Sequence, residues 1–139
     1  MRGECFMSSQ SNVQNYFHLK VLEKARALVL ETYELTENAN FPKSELYGVV
    51  AELRSAAASC ASNIYEGEAF RHLMPGRRRL HLMNALAAVQ VVRSGLWLSL
   101  ERQYIGNSQY QSLDEDWTEV SMMLHGLIKV VGKKVKASK

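Results

Sequence analysis

The chain has 139 residues, 47% of them hydrophobic, with 17 Lys and Arg against 14 Asp and Glu and a formal net charge of +3. That length suits one domain with its own core, and the ordinary apolar and charged fractions exclude a wholly disordered chain. Eight Gly and two Pro are too few for a turn-rich β-sandwich or a collagen-like fibre, so the expected class is all-α.

Residues 1–16 read as a disordered or frayed tail, because Glu4, Ser8, Ser9, Gln10, Ser11 and Asn12 break any apolar run of a secretory signal; Met7 offers an alternative start. A bundle domain is expected over residues 17–132 and a basic tail over 133–139. In the first helix, predicted over 17–35, Val21, Ala25, Leu28, Thr32 and Leu35 recur at steps of four and three, beside a second row of Leu22, Ala25 and Val29. Asn38 and Asn40 break that pattern, and Pro42 has the fixed φ suited to opening a second helix, predicted over 42–66. Its core row is Leu46, Val49, Val50, Leu53, Ala56, Ala57, Cys60 and Ile64, with small residues over 55–62 that admit a close neighbour. Gly67 is the expected stop, in the left-handed conformation that often ends a helix.

Residues 68–74 read as a connection, and Pro75-Gly76 opens a third helix expected to last until Gly106. Its long apolar run over 82–100 is interrupted by Asn84, Gln90 and Arg93, and a central Arg alone costs roughly 2.5–3.5 kcal/mol on insertion into a bilayer, so no membrane span is expected. The apolar residues form two rows instead: Leu82, Ala85, Val89, Val92 and Leu96 on one side, Met83, Ala87, Val91 and Leu98 on another. A helix apolar on two sides needs two sets of partners, and a monomeric bundle supplies one. After Gly106, Asn107 or Ser108 is the expected N-cap, with Ser108 and Gln111 at capping-box spacing and Asp114, Glu115 and Asp116 near the positive end of the dipole. Leu113, Trp117, Val120, Leu124, Leu127 and Val131 then mark a fourth helix. Four helices with short connections predict an antiparallel up-and-down bundle.

Charge is unevenly placed. Residues 71–81 hold Arg71, Arg77, Arg78 and Arg79 with His72 and His81, residues 129–139 hold five Lys, and neither stretch contains an acid. The rest of the chain is therefore net acidic. In an up-and-down bundle the start of the third helix and the end of the fourth share one end, so Arg71, Arg77, Arg78, Arg79, Lys133 and Lys134 are the candidate phosphate-binding residues. Guanidinium forks match phosphate oxygens in pairs, and such a surface binds nucleic acid backbone with little regard to base sequence. Only Phe70 among the neighbouring residues could stack on a base.

Ser59, Asn63 and Glu66 share one helical face. They form either a polar site at the bundle end or, more simply, a structural motif in which Asn63 satisfies backbone groups, Glu66 pairs with an Arg and Gly67 turns the chain. No metal set or cofactor motif is present: Glu68 and His72 lie in the presumed connection, His18 and His125 are isolated, and no phosphate loop or nucleophile elbow appears. No catalytic residue is expected, the least supported reading being a small hydrolase using His72 or His81. Cys5 and Cys60 are too far apart in sequence to suggest a disulfide framework, which fits a reducing cytoplasm.

Several stretches together carry a resemblance: Phe17, Leu19-Lys20-Val21, Lys24-Ala25, Tyr33, Phe41-Pro42, Glu45, Tyr47, Leu53-Arg54, and above all Ser59-x-x-Ser62-Asn63-Ile64-x-Glu66-Gly67. They resemble the four-helix bundle proteins encoded in intervening sequences of bacterial 23S rRNA genes, from Phe17 through Tyr104-Ile105 to Leu127-Ile128. The chain departs from that family at Leu22, where Trp is usual, and at Ala87-Ala88 and Val91, where many members have Gly-Ser followed by an acid. The resemblance implies a ring-shaped homo-oligomer, a pentamer, and no known reaction. The accessory proteins of diversity-generating retroelements look similar and bind nucleic acid and a reverse transcriptase, which adds a protein partner as the alternative to RNA or DNA.

Overall fold

The computed structural model describes the backbone of residues 9–137 and the side chains of residues 17–137. Four helices make up the fold: α1 (Ser9–Asn38), α2 (Val49–Glu68), α3 (Pro75–Glu101) and α4 (Asn107–Ala137). Helix α1 packs on α2, α2 on α3, α3 on α4, and α4 closes back on α1. Pairings such as Arg54 with Thr36, Gly67 with Arg78 and Arg93 with Asp114 run start to end, so neighbouring helices are antiparallel. Residues 9–16, expected as tail, are helical; residues 1–8, with Met7 and Cys5, lie outside the described residues. Helix α4 likewise extends through most of the expected basic tail.

The apolar rows become the core. Val21, Ala25 and Leu28 of α1, Leu53, Ala57, Cys60 and Ile64 of α2, the Leu82-to-Leu96 row of α3 and the Leu113-to-Val131 row of α4 are all buried. Trp117 lies at the centre, its Nε1 donating to Thr32 Oγ1 at 3.4 Å while the Thr32 hydroxyl donates to the Leu28 carbonyl at 2.7 Å. A buried indole N–H needs an acceptor, so the polar Thr32 belongs in an otherwise apolar row. Gly95 lets α3 seat on α2, since a Cβ there would lie 2.7 Å from Leu53 Cδ2. The second row of α3 is exposed at Met83, Ala87, Val91 and Leu98, so one flank of that helix has no cover among the described residues.

Three boundaries differ from expectation. Pro42 is extended (φ −70°, ψ 154°) and opens a single 3-10 turn, Lys43–Glu45, and α2 begins only after the non-helical Gly48. Leu46 therefore falls before the helix and is exposed rather than core. Helix α3 stops at Glu101, short of Gly106, because Gln103 takes a left-handed φ of 64°. The Tyr104 N–H then donates to the Ser99 carbonyl and the Gln103 N–H to the Leu100 carbonyl, both at 2.9 Å, which is the paired closure of a Schellman motif. Gly106 caps α4 instead: its carbonyl accepts from the Tyr110 N–H at 3.0 Å and its N–H donates to Gln109 Oε1 at 2.9 Å, one reciprocal arm of a capping box, set earlier than the expected Ser108 and Gln111 pair.

Left-handed backbone strains any residue bearing a Cβ by ~1 kcal/mol, and Gln103 occupies the position where glycine is favoured. Gln103→Gly is expected to raise stability by up to about 1 kcal/mol, read as a higher denaturant midpoint with an unchanged slope. A lower midpoint would show that Gln103 contributes contacts worth more than the strain.

Candidate functional site

The end of the bundle formed by the start of α1, the end of α2, the start of α3 and the end of α4 gathers the polar motif and most of the cations. After α2 the chain continues in overlapping turns, with Ala69 N–H donating to the Glu66 carbonyl, Arg71 N–H to Glu68 and Met74 N–H to Phe70. Met74 is non-helical (φ −145°, ψ 84°), consistent with the bias of a residue before proline away from the helical region, and Pro75 occupies the first turn of α3. Gly67 does not stop α2. It is buried inside the helix with no left-handed φ, and a Cβ there would meet His81 Cβ at 3.4 Å and the Arg78 carbonyl at 3.5 Å. The position is a packing contact with α3 rather than a chain reversal.

The Ser59, Asn63, Glu66 face joins α2 to α3. Asn63 Nδ2 donates to the Ser59 carbonyl at 3.0 Å and lies 3.3 Å from Ser59 Oγ, which turns Oδ1 towards His81 Nδ1 at 3.1 Å. Glu66 was expected to pair with an Arg; it lies 3.5 Å from His81 Nδ1 instead. The imidazole stacks on Phe70, with centroids 5.6 Å apart and planes 7° from parallel, and Arg77 lies over the same aromatic ring at 5.2 Å. His81 is thus engaged as a helix-to-helix tie, while His72 is exposed. Of the structural motif expected for this face, the Asn63 bond to the Ser59 carbonyl is present, whereas the Glu66–Arg pair and the turn at Gly67 are not.

The six candidate cations divide. Arg77 and Lys133 are exposed, and Arg71, Arg79 and Lys134 are half-buried. Arg71 pairs with Glu68. Arg79 crosses to α4, where a Cβ on Gly132 would lie 3.2 Å from its Nε, so the two basic stretches do share one bundle end. Buried Nε atoms of Arg71 and Arg79 have no hydrogen-bond partner among the described residues. Arg78 departs from the set: its side chain is fully buried and has no surface to offer a phosphate.

Arg78 belongs to a polar cluster that the sequence reading did not assemble. Its Nη2 lies 3.2 Å from Nδ1 of His18, itself fully buried on α1. His18 Nε2 is 2.9 Å from the Ile64 carbonyl and 3.2 Å from Glu68 Oε2 on α2. A guanidinium has hydrogens to donate and no lone pair to accept, so Nδ1 carries no proton and the neutral ring donates through Nε2. Burial pushes His18 below its ordinary pKa; the Glu68 charge opposes that shift, and Arg78 and Arg71 reinforce it. Burial also lowers the pKa of Arg78, against the pull of Glu68. The signal was in the spacing. Arg78 stands four before Leu82 in the core row of α3, His18 stands three before Val21 on α1, and Glu68 stands four after Ile64 on α2.

The Cys60 thiol is buried and its pKa is pushed up to about 12 by desolvation, which leaves it unreactive at neutral pH. Asp114, expected as a solvated first-turn acid, receives a two-point contact from Arg93 (Nε to Oδ1 2.9 Å, Nη2 to Oδ2 3.5 Å) that raises the Arg93 pKa. Among the described residues no three His, Cys, Asp or Glu side chains come together to hold a metal ion, and no helix is long and apolar enough to cross a membrane.

Comparison with known proteins agrees with this architecture. Residues 18–126 match the family described as 23S rRNA-intervening sequence protein. The fold is similar to the crystal structure of a protein of unknown function from the S23 ribosomal protein family of Bacteroides thetaiotaomicron. The TM-score is 0.68 at 22% identity, over 78% of this chain and 98% of that one. No curated protein matches the chain.

Removing one member of a buried ionic cluster leaves the others without compensation, at a cost of roughly 3–5 kcal/mol. Arg78→Ala is therefore expected to destabilise the chain by about 3 kcal/mol in denaturant unfolding, whereas Arg77→Ala one position away leaves the midpoint nearly unchanged. Equal effects of the two would contradict the placement of Arg78.

Proposed function

We infer that this chain, which belongs to the 23S rRNA-intervening sequence protein family, is a non-enzymatic, self-assembling helical scaffold whose basic end binds the phosphate backbone of RNA or DNA. The observation that carries the reading is the crossing of Arg79 onto Gly132, which draws the Arg-rich start of α3 and the Lys-rich end of α4 into one surface. The working residues are Arg71, Arg77, Arg79, Lys133 and Lys134, without Arg78. Arg77 is held by its contact with Phe70, so less conformational freedom is lost when its guanidinium meets a phosphate.

Self-assembly is supported by the exposed flank of α3. Met83, Val91 and Leu98 lie on it with Trp97, which is 53% exposed, and the flank borders a shallow groove between α2 and α3 lined by Ser55, Ser59, Asn84 and Ala87. Large apolar side chains in a row on a water-facing helix signal an interface, and small residues beside them admit a second backbone. The resemblance to ring-forming bundles makes the pentamer the proposed assembly, in which the basic ends repeat around one rim. A cytoplasmic setting accords with the free Cys60 thiol. A second reading, a protein adaptor that holds an enzyme such as a reverse transcriptase, is favoured by Leu73 and Met74, exposed apolar residues on the connection at the same end.

Binding to RNA and DNA oligonucleotides of unrelated sequence is expected to be similar and to fall steeply with salt, with a slope of about 0.9 per duplex phosphate neutralised. Replacing Arg77, Arg79, Lys133 and Lys134 with Ala should weaken binding to all sequences and flatten the slope, while sedimentation shows the same oligomer. Retained, salt-insensitive binding would contradict the nucleic acid reading; a stable monomer would contradict the assembly.

A further inference from the structure

We propose that His18 is a proton-operated latch that fastens α1 to the α2–α3 end of the bundle, closed when its ring is neutral and released when the ring gains a proton at Nδ1. The inference stands on the geometry of the cluster and is independent of any nucleic acid. In the closed state one neutral imidazole serves two helices at once: Nδ1 accepts from Arg78 of α3 at 3.2 Å, and Nε2 donates to the Ile64 carbonyl of α2 at 2.9 Å. Both atoms are out of reach of water, because the side chain is fully buried.

Protonation converts Nδ1 from acceptor to donor. The Arg78 hydrogen bond is lost, and two cationic groups then face each other where a donor met a lone pair. The charged groups among the described residues that act on the ring are Glu68 from α2, Arg71 from the connection and Arg78 from α3. Glu68, 3.2 Å from Nε2, attracts the histidinium, but the same carboxylate already pairs with Arg71, so one acid faces two arginines and the new charge. Desolvation adds to the repulsion, and the ring resists protonation for as long as the cluster stays closed. Withdrawal of α1 lets water solvate the imidazolium and relieves both effects.

The sign follows from linkage. A histidine whose folded pKa lies below its unfolded value binds fewer protons when folded, so stability is complete above the unfolded value of about 6.5 and is lost as pH falls from there towards the folded pKa.

The test compares the full-length chain with His18→Gln, whose amide offers one acceptor and one donor and cannot gain a proton, at fixed protomer concentration. Between pH 6.5 and 5 the wild-type unfolding equilibrium constant should rise by up to about tenfold per pH unit relative to His18→Gln. Amide exchange in the turn of α1 around His18 should accelerate over the same range in the wild type alone. Parallel pH dependence of the two proteins would overturn the proposal. Should His18→Gln fail to fold, nitrogen-detected NMR of the wild-type imidazoles decides. His18 is expected to hold the neutral Nε2–H form at pH 6.5 in the folded chain; its protonation at or above 6.5 there would overturn the latch.

Discussion

Three rows of core residues run out of apolar side chains at the same end of this bundle, and each continues with a group that carries or exchanges a proton: His18 on α1, Glu68 on α2 and Arg78 on α3. Taking a guanidinium out of water costs several kcal/mol even after relaxation, and that cost is tolerable only if the group is hydrogen-bonded and faced by opposite charge. The positions of the surrounding parts follow from it. Helix α1 must reach far enough to cover Arg78 with His18, the end of α2 must bring Glu68 to the same ring, and Gly67 packs against the Arg78 backbone where α3 meets α2. The polar end and the apolar middle are therefore one continuous interior.

Consecutive residues on a helix point about 100° apart, and that angle decides what the three adjacent arginines do. Arg78 goes inwards, Arg77 lies along Phe70 on the outside, and Arg79 crosses to α4. The basic end is in this way built around an internal cation, with the solvent-facing ones held on either side of it. The same helix has a second apolar flank, with Leu80, Met83 and Trp97 exposed on it among the described residues. The two surfaces lie on different parts of one rod, the flank along its length and the cations at its end, so the proposed assembly and the proposed polyanion binding do not compete.

Much of the fold was legible because period is a strong signal in long amphipathic helices. The α4 row from Leu113 to Val131 is buried at every position expected of it, and so is the first row of α3. Punctuation was less legible. Gly67 and Gly106 were read as stops, but one is a packing contact and the other a cap, whereas the residue that does end α3 is Gln103, which has no glycine-like signature. Leu46 was placed in the core because Pro42 was expected to start a helix that a 3-10 turn and Gly48 delay. At the site, composition located the cations and topology brought them together, but charge alone could not say that Arg78 continues a core row. Only its spacing from Leu82, set beside that of His18 from Val21, contains that information.

Membership of the 23S rRNA-intervening sequence protein family secures the architecture, and the Bacteroides structure shares it at low identity. The interior of this chain holds a buried arginine and a neutral histidine that accepts from it. Arginine-directed modification of the native protein with phenylglyoxal, read residue by residue by mass spectrometry, tests that arrangement most directly. Arg77 should be labelled rapidly and Arg78 only after denaturation; labelling of Arg78 in the native state at the rate of Arg77 would contradict the account.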